Sequence, residues 1–257
     1  LRYFHHATEK EMVTFYNNVL AKRFNYPPNV HRNQKILDAN PYIAEAESGM
    51  DFTPRFEGRC PDFVAVDLNT NLYLYEKILD WIVNELGLRN EPDWDAKAEA
   101  RKNLINEYCW NEQRGLFLDY DYVNERHSSV AAVTTFHPLW AGFATEEQAA
   151  RVRGNLQLFE HEWGVGVCEQ TEQLLAYQWD FNVGWAPMHY IVYHALKNYG
   201  YDIDAKRIAG KYLDLLAKNY VAPMPDSLQK NDETITREPD KLYEKYNVID
   251  GTIYDGE

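Results

Sequence analysis

Leu68-Asn69-Thr70-Asn71-Leu72-Tyr73-Leu74-Tyr75-Glu76-Lys77-Ile78-Leu79-Asp80-Trp81-Ile82-Val83-Asn84-Glu85-Leu86-Gly87 decides how this chain is read. Leu68, Leu72, Tyr75, Ile78, Leu79, Ile82 and Leu86 recur every three or four positions, the spacing that places them on one helical face. Gly87 follows the last of them and supplies the conformational freedom on which helices commonly end. The spacing predicts a helix over 68–86. Past Asn90-Glu91-Pro92, the acidic Asp93 and Asp95 introduce a second helix from Ala96 to Cys109, with Ala100, Leu104, Ile105 and Tyr108 facing inward.

The same unit recurs downstream. Val130 to Phe143 reads as a third helix with Pro138 inside it, and Thr145-Glu146-Glu147-Gln148 reads as an N-cap and acidic first turn for a fourth, ending near Phe159. Met188 to Tyr199 and Ala205 to Tyr220 give a fifth and sixth, separated by Gly200. Helix hairpins over 68–109, 130–159 and 188–220, joined by long loops, would gather those loops at one end of a ring, where function concentrates on a rigid scaffold. An irregular helical bundle is the alternative that pairing alone leaves open. Trp110 to Asp121 reads as a tight turn into a short extended segment.

Upstream, Thr8-Glu9-Lys10-Glu11 opens a helix carrying Met12, Phe15, Tyr16, Val19 and Leu20 on one face, closed by Pro27-Pro28. Residues 29–40 are polar and Asn-rich and read as a connector. Ala44-Glu45-Ala46-Glu47-Ser48-Gly49-Met50-Asp51-Phe52-Thr53-Pro54-Arg55-Phe56 then has the composition of an active-site loop. Gly49 permits a positive φ or a close backbone approach, and Pro54 stops any helix. Asp51 lies between two apolar residues, where desolvation disfavours a charged carboxyl and suits a proton donor. A solvated loop residue or a helix N-cap is the plainer reading of the same aspartate.

Composition narrows the partners. With 257 residues, 45% of them hydrophobic, the chain can bury a sizeable core. Its net charge of −14, from 40 acidic against 26 basic residues, disfavours nucleic acid and anionic membranes as partners. No apolar run approaches the roughly 18 residues of a membrane span. The 7 Trp and 19 Tyr suit stacking on flat sugar faces. Cys60, Cys109 and Cys168 lack a metal-ligand spacing, and the histidines form no HExxH pair, so neither metal nor cofactor is expected. Leu1 in place of Met suggests a processed or truncated chain, and the compartment stays open between cytoplasm and periplasm.

Several motifs carry a resemblance. Glu47-Ser48-Gly49-Met50-Asp51-Phe52 resembles the Glu-Ser-Gly-Trp-Asp-Phe segment of trehalase-family glycoside hydrolases, with Met50 in place of the tryptophan. Val66-Asp67-Leu68-Asn69 is similar to the segment that follows it there. Trp110 to Asp121 resembles that family's turn, and Gln178-Trp179-Asp180 with Gly184-Trp185-Ala186-Pro187 resembles the two ends of its second signature, Asn182 replacing a proline. Glu244-Lys245-Tyr246 is similar to the tail before the second catalytic carboxylate. The Pro-Gly-Gly-Arg-Phe, Tyr-Trp-Asp-Ser-Tyr and Arg-Pro-Glu-Ser segments are absent, and Met50 and Pro54 look like the related processing-glucosidase families.

The resemblance implies an all-α fold, an (α/α)6 toroid or the C-terminal part of one. Residues 1–257 are then a single helical catalytic-type domain, incomplete at its N-terminus and with its C-terminus left open. It implies inverting hydrolysis of an α-glucosidic bond in a small carbohydrate, with Asp51 as general acid and Glu257 as general base. A noncatalytic carbohydrate-binding fragment is the alternative. Gly49, Trp179, Trp185, Gln178, Asp180 and Arg55 are the candidate substrate-binding residues. The tryptophans either stack on a sugar or wedge a helix into the core, Asp180 either binds hydroxyls or caps, and Arg55 with Asp67 suits support of the loop.

Overall fold

The structure, a computed structural model, describes residues 1–172, 177–220 and 241–254. Helix α1 (Glu9–Phe15) begins on Thr8, whose hydroxyl accepts from Glu11 N while the Glu11 carboxylate accepts from Thr8 N, a reciprocal capping box. It runs on through a π-helical turn (Tyr16–Leu20) into the short α2 (Ala21–Arg23), burying Met12, Tyr16 and Leu20.

Helix α3 (Arg32–Ala46) replaces the connector expected over 29–40 and takes in Ala44, Glu45 and Ala46 from the expected loop. Its buried face is carried by Ala39, Tyr42 and Ala44 instead of large aliphatics, and Pro41 lies within it, so the periodic signal is faint. Tyr42 and Ala39 pack with Tyr16, Leu20 and Phe52, and tertiary contact supplies what local preference lacks.

Helices α4 (Val66–Leu86) and α5 (Trp94–Tyr108) form the first hairpin, with Gly87 left-handed at the end of α4 and the Asp93 side chain accepting from Ala96 N at the start of α5. The residues that share the apolar spacing of α4 are not the ones it buries. Tyr75, Ile78 and Leu86 are 62%, 50% and 68% exposed, while Val66, Asp67, Asn69, Thr70, Tyr73 and Glu76 are buried. Ion pairs turn the helix this way: Arg101 of α5 holds Glu76 through two hydrogen bonds, and Asp67 is held by Arg55. In α5, Ala98 and Ile105 are buried, and Ala100, Leu104 and Tyr108 face outward.

The continuous helix expected over 130–143 is broken. Ala132 bridges Cys168 in extended conformation, a 3-10 turn covers Val133–Phe136, and α6 (His137–Trp140) is a single turn that Pro138 opens. Thr145 and Gln148 form the capping box of α7 (Glu146–Gly154). Helices α8 (Ala186–Asn198) and α9 (Asp202–Asn219) make the second hairpin, and α6 packs between α8 and α4. One core joins these elements, running from Met50 and Val66 through Ile105, Phe136 and Leu139 to Val192 and Ile208.

Short antiparallel ladders fix the connections. Phe63–Val64 pairs with Tyr120–Asp121, Trp110–Asn111 with Leu116–Phe117, and Val183–Trp185 with Lys245–Asn247. Among the described residues no helix is long and apolar enough to cross a membrane.

Burial sets what substitutions in this fold should cost. Ile105→Ala empties a buried site and costs about 2–5 kcal/mol in urea unfolding, whereas Leu104→Ala, at a position 53% exposed, costs under about 0.5 kcal/mol. Burial pushes His137 and His189 down to about 4. An unfolded histidine takes up its proton near pH 6.5, so the stability these groups contribute is full above that pH and is lost as pH falls toward about 4. Chemical unfolding at pH 7 and pH 5 should differ by about 2 kcal/mol for each histidine.

Candidate active site

Thr53 caps the 3-10 turn Pro54–Phe56, its hydroxyl accepting from Arg55 N. That turn sends Arg55 into the interior, where it is fully buried. Its Nε and Nη2 donate to Asp119 at 2.8 and 2.9 Å, Nη2 and Nη1 donate to Asp67 at 2.7 and 3.2 Å, and Nη1 reaches Met50 Sδ at 3.4 Å. Every guanidinium N–H thus has an acceptor, and Arg55 supports the loop from beneath without reaching the surface.

The two carboxylates differ. Burial pushes Asp67 up, but Arg55 overrides it and holds this carboxyl below its usual range. Burial keeps Asp119 above that range despite the same guanidinium, and the Asp67 charge adds to the effect. Asp119 Oδ1 also accepts from Val66 N at 2.9 Å, tying the start of α4 to the turn after Trp110.

Asp51 stands half-buried above this cluster, between the buried Met50 and Phe52. Gly49 and Phe52 have φ of 73° and 62°, and these two left-handed residues turn the chain sharply on either side of it. The Phe52 carbonyl accepts from Gln178 N at 2.9 Å and from Trp179 N at 3.1 Å. Gln178 then places its amide nitrogen 3.4 Å from both Asp51 oxygens, while its amide oxygen accepts from Lys245 Nζ at 3.0 Å and Arg23 Nη2 at 3.5 Å. Burial, with Arg23 nearby, lowers the Lys245 amine.

Trp179 and Trp185 stack on each other, centroids 3.8 Å apart and planes 3° from parallel. Each covers a face of its partner, and Trp185 Nε1 donates to the Gln178 carbonyl. Trp179 Nε1 has no hydrogen-bond partner among the described residues. Asp180 is buried and accepts from Phe181 N at 2.7 Å, a local turn contact; burial raises its carboxyl. Glu257 lies outside the described residues.

The structure therefore brings Asp51, Gly49, Gln178, Trp179 and Trp185 together. Arg23 joins them, with Lys245 of the Glu244-Lys245-Tyr246 motif and Glu45 of the 44–56 stretch, none of which the sequence had given a role at the site. Lys245 arrives through the register Trp185↔Lys245, a pairing 60 residues apart in sequence (245 − 185) that no local pattern announces. Arg23 comes from a helix whose apolar face alone was legible. Among the described residues, no group of three or more His, Cys, Asp or Glu is arranged to hold a metal ion.

The family model described as Trehalase matches residues 43–257. The chain belongs to the trehalase family. It is 34% identical over 217 residues to the cytosolic neutral trehalase of Kluyveromyces lactis, covering 78% of this chain and 29% of that protein. A probable trehalase of Saccharomyces cerevisiae is 35% identical over 221 residues, covering 79% of this chain and 28% of its own length. The chain thus spans less than a third of the curated relatives it matches.

The solved neutral trehalase of Saccharomyces cerevisiae superposes with a TM-score of 0.71 at 27% identity, covering 96% of this chain and 48% of that one. A mannosylglycerate hydrolase of Thermus thermophilus superposes at 0.61 with 17% identity, covering 93% and 55%, a likeness of fold. The helix hairpins are accordingly those of the trehalase family's (α/α)6 toroid.

Removing Arg55 would strand two buried carboxylates. Arg55→Met is expected to cost about 3–5 kcal/mol in urea unfolding at pH 7, and Arg55→Lys to recover only part of it, because one ammonium cannot serve both carboxylates in fork geometry.

Proposed function

We propose that the protein is an inverting glycoside hydrolase acting on trehalose or a related α-glucoside, with Asp51 as general acid and Glu257 as general base. The observation that carries this reading is the presentation of Asp51. Two left-handed residues and a buried Arg55 platform hold it at a half-buried position beside the Gln178 amide and the paired tryptophans. A proton donor needs such a fixed aim, with hydrogen-bond donors near enough to orient it.

In an inverting glycosidase, one carboxylic acid protonates the leaving oxygen while a carboxylate about 6.5–9.5 Å away activates water on the opposite face of the sugar. Asp51 would supply the proton, and the substrate's glucosidic oxygen would receive it as the bond to the anomeric carbon breaks. Gln178, polarised by Lys245 and Arg23 at its oxygen, would hold the Asp51 carboxyl and a sugar hydroxyl in one plane. Gly49 serves by its backbone shape, Asp180 by shaping the turn before α8, and the outer face of the tryptophan pair would back the sugar ring. The curated relatives named above are trehalases, which favours trehalose over other α-glucosides as substrate.

The test is hydrolysis of trehalose, kojibiose, nigerose, maltose and glucosylglycerate by the full-length protein and by Asp51→Asn. Trehalose turnover is expected, with initial release of the β-anomer from the cleaved glucosyl unit, and Asp51→Asn should lower kcat by roughly 10²–10⁴-fold. Equal turnover by both proteins would reject Asp51 as the acid.

A further inference from the structure

We propose that Glu45 is a positioning residue for Asp51, gripping both feet of the loop that carries it and so fixing the aim of the proton delivered from its tip. This rests on the reading of Asp51 as the proton donor. Glu45 is 1% exposed and lies in the last turn of α3. Its main-chain carbonyl accepts from Ser48 N at 2.9 Å and from Ser48 Oγ at 2.6 Å, and Ser48 Oγ in turn accepts from Met50 N at 3.0 Å. Its side-chain Oε1 accepts from Thr53 N at 3.0 Å. One residue therefore holds the chain immediately before and after Met50-Asp51-Phe52.

The far foot is fixed with particular rigidity. The peptide group between Phe52 and Thr53 has its N–H on Glu45 and its carbonyl oxygen on Gln178 N and Trp179 N. A non-glycine residue with φ of 62° persists only where its surroundings over-determine it, and these contacts do so for Phe52. Leucine would fill the same buried space without the desolvation cost of a carboxyl, so packing does not explain a glutamate there.

The groups facing this side chain come from several elements. Arg55 from the turn beneath attracts its charge, Asp51 from the loop repels it, and Tyr42, Cys60 and Tyr177 feel it from α3, the 60–62 turn and the segment before Gln178. Burial pushes the Glu45 carboxyl up to about 8, against the pull of the Thr53 and Phe52 N–H groups. Below that pH it is a neutral acceptor. Above it, the carboxylate accepts from the Thr53 and Phe52 N–H groups as a charged partner, the stronger kind of hydrogen bond.

The experiment compares Glu45→Gln with wild type and with Asp51→Asn in the full-length protein, measuring kcat and KM on whichever disaccharide wild type cleaves. Glu45→Gln keeps the shape and one acceptor but cannot ionise. Its kcat is expected to fall about tenfold with KM within about twofold, because a misaimed acid slows the chemical step without loosening the sugar. Wild-type kcat in Glu45→Gln would overturn the proposal while leaving Asp51 intact, whereas an Asp51→Asn as active as wild type would overturn the underlying reading instead. Should Glu45→Gln fail to fold, hydrogen exchange at the Thr53 amide of wild type decides. Protection that changes across pH 8 supports the clasp, and an amide exchanging as freely as an exposed one rejects it.

Discussion

Arg55 lies between Asp67 and Asp119 with all three side chains buried, and the geometry around Asp51 descends from that contact. Each charge alone would be costly in so apolar a setting, and the arrangement is tolerable because every guanidinium N–H meets an acceptor. The consequence is positional. Asp67 belongs to the first turn of α4, Asp119 takes the Val66 N–H and ends the turn after Trp110, and Arg55 follows Asp51 by four residues. A loop that would otherwise be mobile thereby inherits the rigidity of a helix hairpin.

Above this platform, features that cost stability are gathered within a few residues of one another. Phe52 is left-handed, Glu45 is a carboxyl in the interior, Trp179 Nε1 lacks a partner among the described residues, and Lys245 carries a lowered amine beside Arg23. Away from the site, α1, α5 and α7 begin on side-chain caps, and α4 ends on a left-handed glycine. Backbone strain at Phe52 and a buried carboxyl at Glu45, side by side under Asp51, are features that suit chemistry more than folding.

The helices were legible where their signals are local. Thr8, Asp93 and Thr145 stand at helix starts and Gly87 at a helix end, because a cap acts on backbone groups two or three residues away. Periodicity found α4 without fixing its buried face, since hydrophobic spacing reports which residues share a side and not which side the ion pairs Arg101–Glu76 and Arg55–Asp67 turn inward. It missed α3 entirely, whose small and aromatic buried residues surround a proline. At the site, the motif residues Asp51, Gln178, Trp179 and Trp185 were found; Lys245 and Glu45 stood in quoted stretches without a role, and Arg23 was not found.

By itself, the sequence determined the helical class, the first and last hairpins, the motif set that marks the family, and the loop on which Asp51 rides. These depend on neighbours a few residues apart, or on runs of residues that keep their identity wherever they fold. Tertiary structure alone decided that Arg55 is sealed beneath the loop, that the two tryptophans lie against each other, and that Lys245 and Arg23 meet at one amide oxygen. The Arg55–Asp119 pair and the contacts at Gln178 join residues 64 to 155 positions apart. Their energies depend on burial and on distances of about 3 Å that no linear spacing encodes.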